Sequence, residues 1–396
     1  MTDMQRRCKE VEEQAETSRL DRVRAKMREQ GIDALYSRSL TDIAWMTGFP
    51  RVFDDEPAHR CAVTAQEARM HTDSRYSDAA GRAARASAER GGDLWGIDVE
   101  PHSASMWLME VLSSVESAEA ELVVAIEDTL PLREFRALES AVAVSTRPVR
   151  FIETDSFVLG LRARKDDGEI AAMKRAQDIT DRAFASAVGF MRAAQSEGRS
   201  VTERELKIEL EEAMRRLGAD DLAFASIVAA GENGAAPHSI PGDRVIGPGD
   251  MVVLDFGARA QGYCSDMTRV ISVGEPSERA RAAYGAIRRA NEEVEAMLKP
   301  GGTGRAAHEH AEAVLAECGF GGCMGHSLGH GVGLDIHEQP NLSPRNDEPL
   351  EPGNVVTVEP GIYIPGEFGC RLEDFGVICE DGFHVFTKTP HDIVII

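Results

Sequence analysis

Residues 251–269 read MVVLDFGARAQGYCSDMTR. Met251–Phe256 is a short apolar run with β-branched Val252 and Val253, entered from the turn signal Pro248-Gly249-Asp250, and it predicts a buried strand. That strand delivers Asp255 between Leu254 and Phe256. A carboxylate in such a setting is costly unless it is paired, hydrogen-bonded or bound to a metal. Gly257 and Gly262 bracket a polar turn, and the chain returns through Asp266 into a second β-rich run, Thr268–Val273. A hairpin of this length brings Asp255 and Asp266 onto neighbouring strands that face one cavity. Two close carboxylates repel unless a cation or a shared proton lies between them. An Asp cap plus a turn Asp explains this stretch equally well, so the rest of the chain must decide.

The chain has 396 residues, long for one core, and two domains are expected. Its 42% hydrophobic and 28% charged residues are ordinary for a soluble globular protein. No apolar run approaches the roughly 18 residues needed to span a membrane. The first 20 residues are charged throughout and hold no signal-peptide core. A net charge of −23 argues against nucleic acid as a partner and against anionic membranes. Seven cysteines without regular spacing fit reduced thiols in a cytoplasm, with Cys318 and Cys323 expected as packing residues.

Residues 1–30 read as polar helix with Leu20, Val23 and Met27 at helical spacing, and Ser39–Phe49 as a mixed stretch. Strands are expected at 33–36, 61–64, 68–72, 97–99, 122–126 and Val142–Val144, with helices at 76–90, 104–115 and 130–140. This alternation makes an α/β domain, here given residues 1–160, and none of its strands runs into a glycine-rich phosphate loop. From 161 to 396 the pattern changes. A helix starts at Asp166-Asp167 and runs to Met191. A capping box at Thr202-Glu203-Arg204-Glu205 opens the next, and Phe224–Val228 reads as a strand. Further helices are expected at 277–298 and 305–318, then a strand at 354–358 and one continuous strand at Cys370–Cys379.

The second half puts acidic or imidazole groups at strand ends or in glycine loops at Asp255, Asp266, His330, Glu359 and Glu373. Each alone has an ordinary explanation: a turn cap for Asp255, a pair with Arg371 for Glu373, a satisfied loop histidine for His330. Together they differ, because four carboxylates with one neutral imidazole carry about −4, which two divalent cations balance. Such a pair of ions acidifies a shared water. Oxygen-rich ligation with one imidazole suits Mn²⁺ and tolerates Co²⁺, Fe²⁺ or Zn²⁺.

The stretches DFGARAQGYCSDMTR (255–269), GHSLGHGVGLDIHEQP (325–340), TVEPGIY (357–363) and RLEDFGVI (371–378) stand in the order and spacing of the pita-bread metallopeptidases. Among these the chain resembles the Xaa-Pro peptidases of the aminopeptidase P and prolidase group. DALYSRSLTDIAWMTGFP (33–50) and MHTDSRYSDAAGRAA (70–84) extend the resemblance to all but about the first 18 residues. It implies an α+β fold: a C-terminal pita-bread catalytic domain preceded by a smaller creatinase-like α/β domain. It implies Asp255 as ligand of one metal, Asp266 and Glu373 as bridges, and His330 and Glu359 as ligands of the second. His238, in GENGAAPHS, matches a histidine that holds substrate and tetrahedral intermediate. His326 and His337 match histidines lining the pocket, and Arg371 an arginine near the bridging glutamate. The implied reaction is attack of a metal-bridging hydroxide on the bond between an N-terminal residue and proline. Glu359 would move the proton, and His238 and His337 would stabilise the oxyanion. Proline-containing peptides as substrate and a homodimer follow from the same resemblance, and the cysteines add the expectation of a cytoplasmic setting. Trp45 and Tyr263 are the aromatic candidates for the proline pocket. The competing readings are another enzyme on this scaffold, such as a methionine aminopeptidase or a lyase, and a metal-free peptide-binding module.

Overall fold

The computed structural model describes residues 18–49, 52–54, 56–99 and 103–396. The part of the expected N-terminal helix that precedes residue 18 lies outside the described residues. Contacts divide the chain into two compact units, one ending at Leu161 and one spanning Arg162–Ile396. No helix among the described residues is long and apolar enough to cross a membrane.

The first unit is built on a six-stranded sheet in the order Gly96–Val99, Ala68–Thr72, Arg60–Thr64, Ala34–Ser37, Leu122–Glu127, Val149–Thr154. Its central strands contribute Ala34, Tyr36, Ala62, Val124 and Ile126 to a core closed by Trp107, Leu108, Val111 and Leu138 from two helices. Two expectations are corrected here. Ser39–Phe49 holds a helix, Leu40–Thr47, begun by the Ser39 hydroxyl accepting from the Asp42 N–H and stopped at Gly48, whose φ of 62° suits glycine. Val142–Val144 is no strand: Val142 ends the helix Leu132–Val142, four residues after buried Leu138 and on the same face. The sheet's last strand is instead Val149–Thr154, which pairs in parallel with Leu122–Glu127 over six residues.

In the second unit, two helix pairs back the strands. Asp167–Ser196 and Glu203–Arg216 both start with a capping box, Asp166 with Glu169 and Thr202 with Glu205. Glu278–Met297 and Gly304–Glu317 form the other pair. The strands Met251–Phe256 and Met267–Ser272 serve both cores by alternation. Val252, Leu254, Phe256, Met267 and Ile271 pack with the first pair, while Met251, Val253 and Val270 pack with the second. The strand expected at Phe224–Val228 is shifted to Ile227–Ala230, where it gains Met251–Phe256 as partner.

The expected strand Cys370–Cys379 is broken. Phe368–Arg371 pairs with Gly361–Ile364, and Asp374–Cys379 pairs with Val355–Val358 in a different sheet. Leu372 and Glu373 form the step between them. Cys318 is exposed rather than packed, because it caps the C-terminal end of its helix, whereas Cys323 lies against the core.

Candidate metal centre

Register explains how the two aspartates meet. Asp255 stands opposite Thr268 across the antiparallel pair, so Asp266 is its diagonal neighbour two residues away. Residues 251, 253 and 255 share one face with 266, 268 and 270, since side chains alternate. Apolar members of that face fill the core, and the two carboxylates continue it into a cavity. A β-hairpin, Ala258–Ala260 with Tyr263–Cys264, occupies what the sequence presents as a polar turn.

His330 sits on Gly329–Gly331, squeezed between Glu338–Leu342 and Val355–Val358. A Cβ at Gly329 would meet the Thr357 carbonyl oxygen at 2.2 Å, and one at Gly331 the Gln339 carbonyl at 2.4 Å. The flanking glycines are therefore what lets this strand lie so close. The His330 N–H donates to the Thr357 hydroxyl at 3.0 Å, and that hydroxyl donates to Glu359 at 3.1 Å. His330 Nδ1 lies 3.0 Å from the Gly331 carbonyl, which can only accept, so the proton is assigned to Nδ1. Nε2 is left with its lone pair facing Asp266 at 3.6 Å and Glu359 at 3.3 Å. Asp266, His330 and Glu373 each offer a ligand atom within 4.8 Å of the others.

Glu373 is fixed by its place at the step between strands. Its N–H donates to the Thr268 carbonyl at 3.2 Å, and the Thr268 hydroxyl donates to its carboxylate at 2.7 Å. Arg371 points into the same place but pairs with Asp255, not with Glu373 as proximity in sequence suggests. It also donates to the Thr268 hydroxyl at 3.0 Å and to the Tyr363 hydroxyl at 2.8 Å. Tyr363 in turn faces His326 Nε2 at 3.0 Å, while His326 Nδ1 donates to the Ser327 carbonyl at 2.7 Å. His337 packs edge-on to His330 with ring centroids 4.4 Å apart.

One cavity of about 770 Å³ is lined by Asp255, Asp266, Glu359, Glu373, Arg371, His238, His326, His330 and His337. The five candidate metal ligands, the three further histidines and Arg371 thus meet there. Tyr363, absent from that expectation, is the residue joining Arg371 to His326; it lies four positions after Glu359 in TVEPGIY, which was the available signal. Trp45 and Tyr263 are not among the lining residues. Trp45 is buried in the first unit beneath Arg19 and Arg22, and the buried Tyr263 hydroxyl donates to Glu169 at 2.6 Å. The apolar lining comes from Phe224, Ile227, Pro237 and Ile336 among others.

The electrostatics are lopsided. Burial and the charges of Asp255 and Glu359 push Asp266 well above the usual carboxylate range. Burial and Asp266, Glu359 and Asp255 do the same to Glu373, and burial raises Glu359. Burial pushes His326, His330 and His337 down, keeping the imidazoles neutral. Two cations line the cavity against its four acids: Arg371, which pairs with Asp255, and Lys207, which is drawn to Glu211 at 3.5 Å. Oxygen-rich donors, one imidazole lone pair and a deficit of positive charge fit divalent metal ions.

Comparison with known proteins gives the same direction. Residues 171–380 match the model of metallopeptidase family M24, and residues 19–164 that of the creatinase/prolidase N-terminal domain. The uncharacterised peptidase YqhT of Bacillus subtilis is 35% identical over 96% of this chain and its own full length. A solved Xaa-Pro dipeptidase from Bacillus anthracis superposes with a TM-score of 0.84 at 35% identity, covering 96% of this chain and 99% of that one. An X-Pro aminopeptidase from Thermotoga maritima gives 0.79 at 33% identity, covering 94% and 100%. With the motifs, the fold and a family match over more than half its length, the chain belongs to metallopeptidase family M24.

Proposed function

We propose that this protein is a dinuclear-metal Xaa-Pro peptidase that hydrolyses the bond between an N-terminal residue and proline. The observation that carries this reading is the convergence of Asp255, Asp266, Glu359, Glu373 and His330 on one cavity, where burial and mutual repulsion raise the carboxyl groups of Asp266, Glu359 and Glu373 above their ordinary range. Asp255 would hold one ion, His330 and Glu359 the other, and Asp266 and Glu373 both. Mn²⁺ suits this donor set, and Co²⁺, Fe²⁺ or Zn²⁺ could replace it. Bound ions supply a water of lowered pKa and polarisation of the scissile carbonyl.

The chain's own residues do the remainder. Glu359, which lines the cavity beside His330, takes a proton from the attacking water and returns it to the leaving imide nitrogen. His337 and His238 line the cavity and donate to the developing oxyanion. Arg371 orients Asp255 and, through Tyr363, His326. Proline lacks an N–H, so a substrate with proline leaves no donor stranded against the apolar wall of Phe224, Ile227, Pro237 and Ile336. The names of the Bacillus anthracis and Thermotoga maritima relatives support the same preference.

Elemental analysis together with turnover of Xaa-Pro, Xaa-Pro-Yaa and Xaa-Ala at equal concentration tests this. About two divalent ions per chain and a preference for proline by orders of magnitude are expected. Active protein free of metal, or faster cleavage of Xaa-Ala, would overturn it.

A further inference from the structure

Beside His337 the chain carries Glu338, which the reaction does not use. His337 ends a bend, and Glu338 begins the strand Glu338–Leu342. His337 lines the cavity, and Glu338 turns the other way into the protein, its side chain 1% exposed. There it meets two cations from the start of the second unit. Lys165 Nζ, also 1% exposed, lies 3.0 Å from Oε2, and the Arg162 guanidinium donates to Oε1. Oε1 also accepts the Asp335 N–H at 3.0 Å, so the carboxylate closes the loop 335–338 on itself. Arg162 donates to Asp335 as well, at 2.8 Å. Lys165 is itself held, its backbone N–H donating to the Gly353 carbonyl at 2.8 Å. Burial alone would push Glu338 up, but Lys165 and Arg162 outweigh it and hold the carboxyl below its ordinary range.

Buried ion pairs contribute little net stability, because desolvation cancels much of the attraction. Their directional value is larger: two cations and one backbone N–H fix a carboxylate in position and rotation. We propose that Glu338, clamped by Lys165 and Arg162, is a positioning residue that sets the His337 ring against His330 and the reacting carbonyl. This rests on the reading of His337 as an oxyanion donor. A shift of about an ångström in such a donor costs on the order of 10²-fold in rate.

The test uses Glu338→Gln, which keeps the shape and removes the charge, in the metal-loaded full-length enzyme with an Xaa-Pro substrate. Metal content should stay at the wild-type level and kcat fall about 10- to 100-fold, as for groups that orient a catalytic side chain. KM should change by less than about threefold, and Glu338→Asp should recover part of the loss. In a His337→Ala background, Glu338→Gln should lower kcat no further, because the two act as one unit. The imidazole resonance of His337, assigned by its absence in His337→Ala, should move in Glu338→Gln. An equal kcat loss in both backgrounds, or an unmoved His337 resonance, overturns the proposal. If His337→Ala alone leaves kcat unchanged, the oxyanion role fails instead, and the resonance still decides whether Glu338 positions the ring. Should Glu338→Gln not fold, Glu338→Asp carries the same cycle, since its shorter carboxylate cannot reach both cations.

Discussion

Glu373 and Asp374 are consecutive acids, 2% and 0% exposed, yet their carboxyl groups are driven in opposite directions. Glu373 faces Asp266, Glu359 and Asp255, and burial with those charges pushes it well above the usual range. Asp374 turns to the other side. Burial would raise it too, but Arg269 at 2.6 Å and His391 at 2.8 Å hold it down. Arg269 is 1% exposed and also donates to the carbonyls of Glu373, Thr389 and Pro390. Both are buried carboxylic acids, and what differs is the balance of neighbouring charge: three acids against Arg371 around Glu373, but Arg269 and His391 directly on Asp374. An acid cluster whose encoded positive charge falls short of its negative charge must take the rest from outside, which is the signature of a site rather than of a scaffold.

Removing each acid should break different properties. Glu373→Ala should abolish metal binding and lower activity by more than the roughly 10²–10³ of one lost oxyanion donor, while folding survives. Atomic absorption and kcat/KM check this. Asp374→Ala strands a buried guanidinium and should cost about 3–5 kcal/mol of stability in chemical denaturation. If Glu373→Ala proved the more destabilising in folding and kept its metal, the contrast between the neighbours would be wrong.

Chelation sharpens the same contrast. In metal-free protein Asp266, Glu359 and Glu373 titrate higher folded than unfolded. Between those two values the native state binds more protons than the unfolded one, so its stability falls as pH rises. Metal-loaded protein escapes this loss. The Tm gap between loaded and EDTA-treated protein should therefore widen from pH 5 to pH 8, reaching the equivalent of about 2.7 kcal/mol at a hundredfold excess of metal over Kd. A gap that narrows with pH would mean that the acids are already neutralised by the chain.

Much of this centre was legible in the sequence because its parts are local. The apolar run Met251–Phe256 that carries Asp255 and the glycines around His330 each state a need that a nearby partner satisfies. What escaped depends on chain segments far apart. Nothing within Cys370–Cys379 says that its two halves pair with different strands. Arg371 stands two residues from Glu373 yet reaches Asp255, 116 positions away. Lys165 finds Glu338 across 173 positions. Aromatic identity gave size without direction, so Trp45 and Tyr263 were assigned to a pocket that Phe224 lines instead. The helix at Leu40–Thr47 was readable from Ser39, Asp42 and Gly48, but its short length left the apolar residues without a clear period.

The smallest expected effect concerns His391, the weaker of the two cations on Asp374. Its hydrogen bond and charge interaction with Asp374, helped by Glu292 at 3.1 Å and opposed by burial and Arg269, raise its pKa. A group that binds its proton more tightly folded than unfolded adds stability that is complete below the unfolded imidazole value of about 6.5 and disappears as pH rises through the folded value. Asp374 is held low, so it stays ionised throughout this window, but burial and Asp374 push neighbouring Glu295 up to about 8, so the comparison is made in a Glu295→Gln background. His391→Gln should therefore cost most near pH 6 and least near pH 9. The difference, discounted for the partly exposed ring, should be roughly 1 kcal/mol or less in urea unfolding. Metal content should not follow that profile, because His391 serves the acid that faces away from the cavity. A penalty that grows with pH would mean that native His391 is neutral and Arg269 alone compensates Asp374. Parallel loss of metal in His391→Gln would show that the two neighbouring acids are not independent after all.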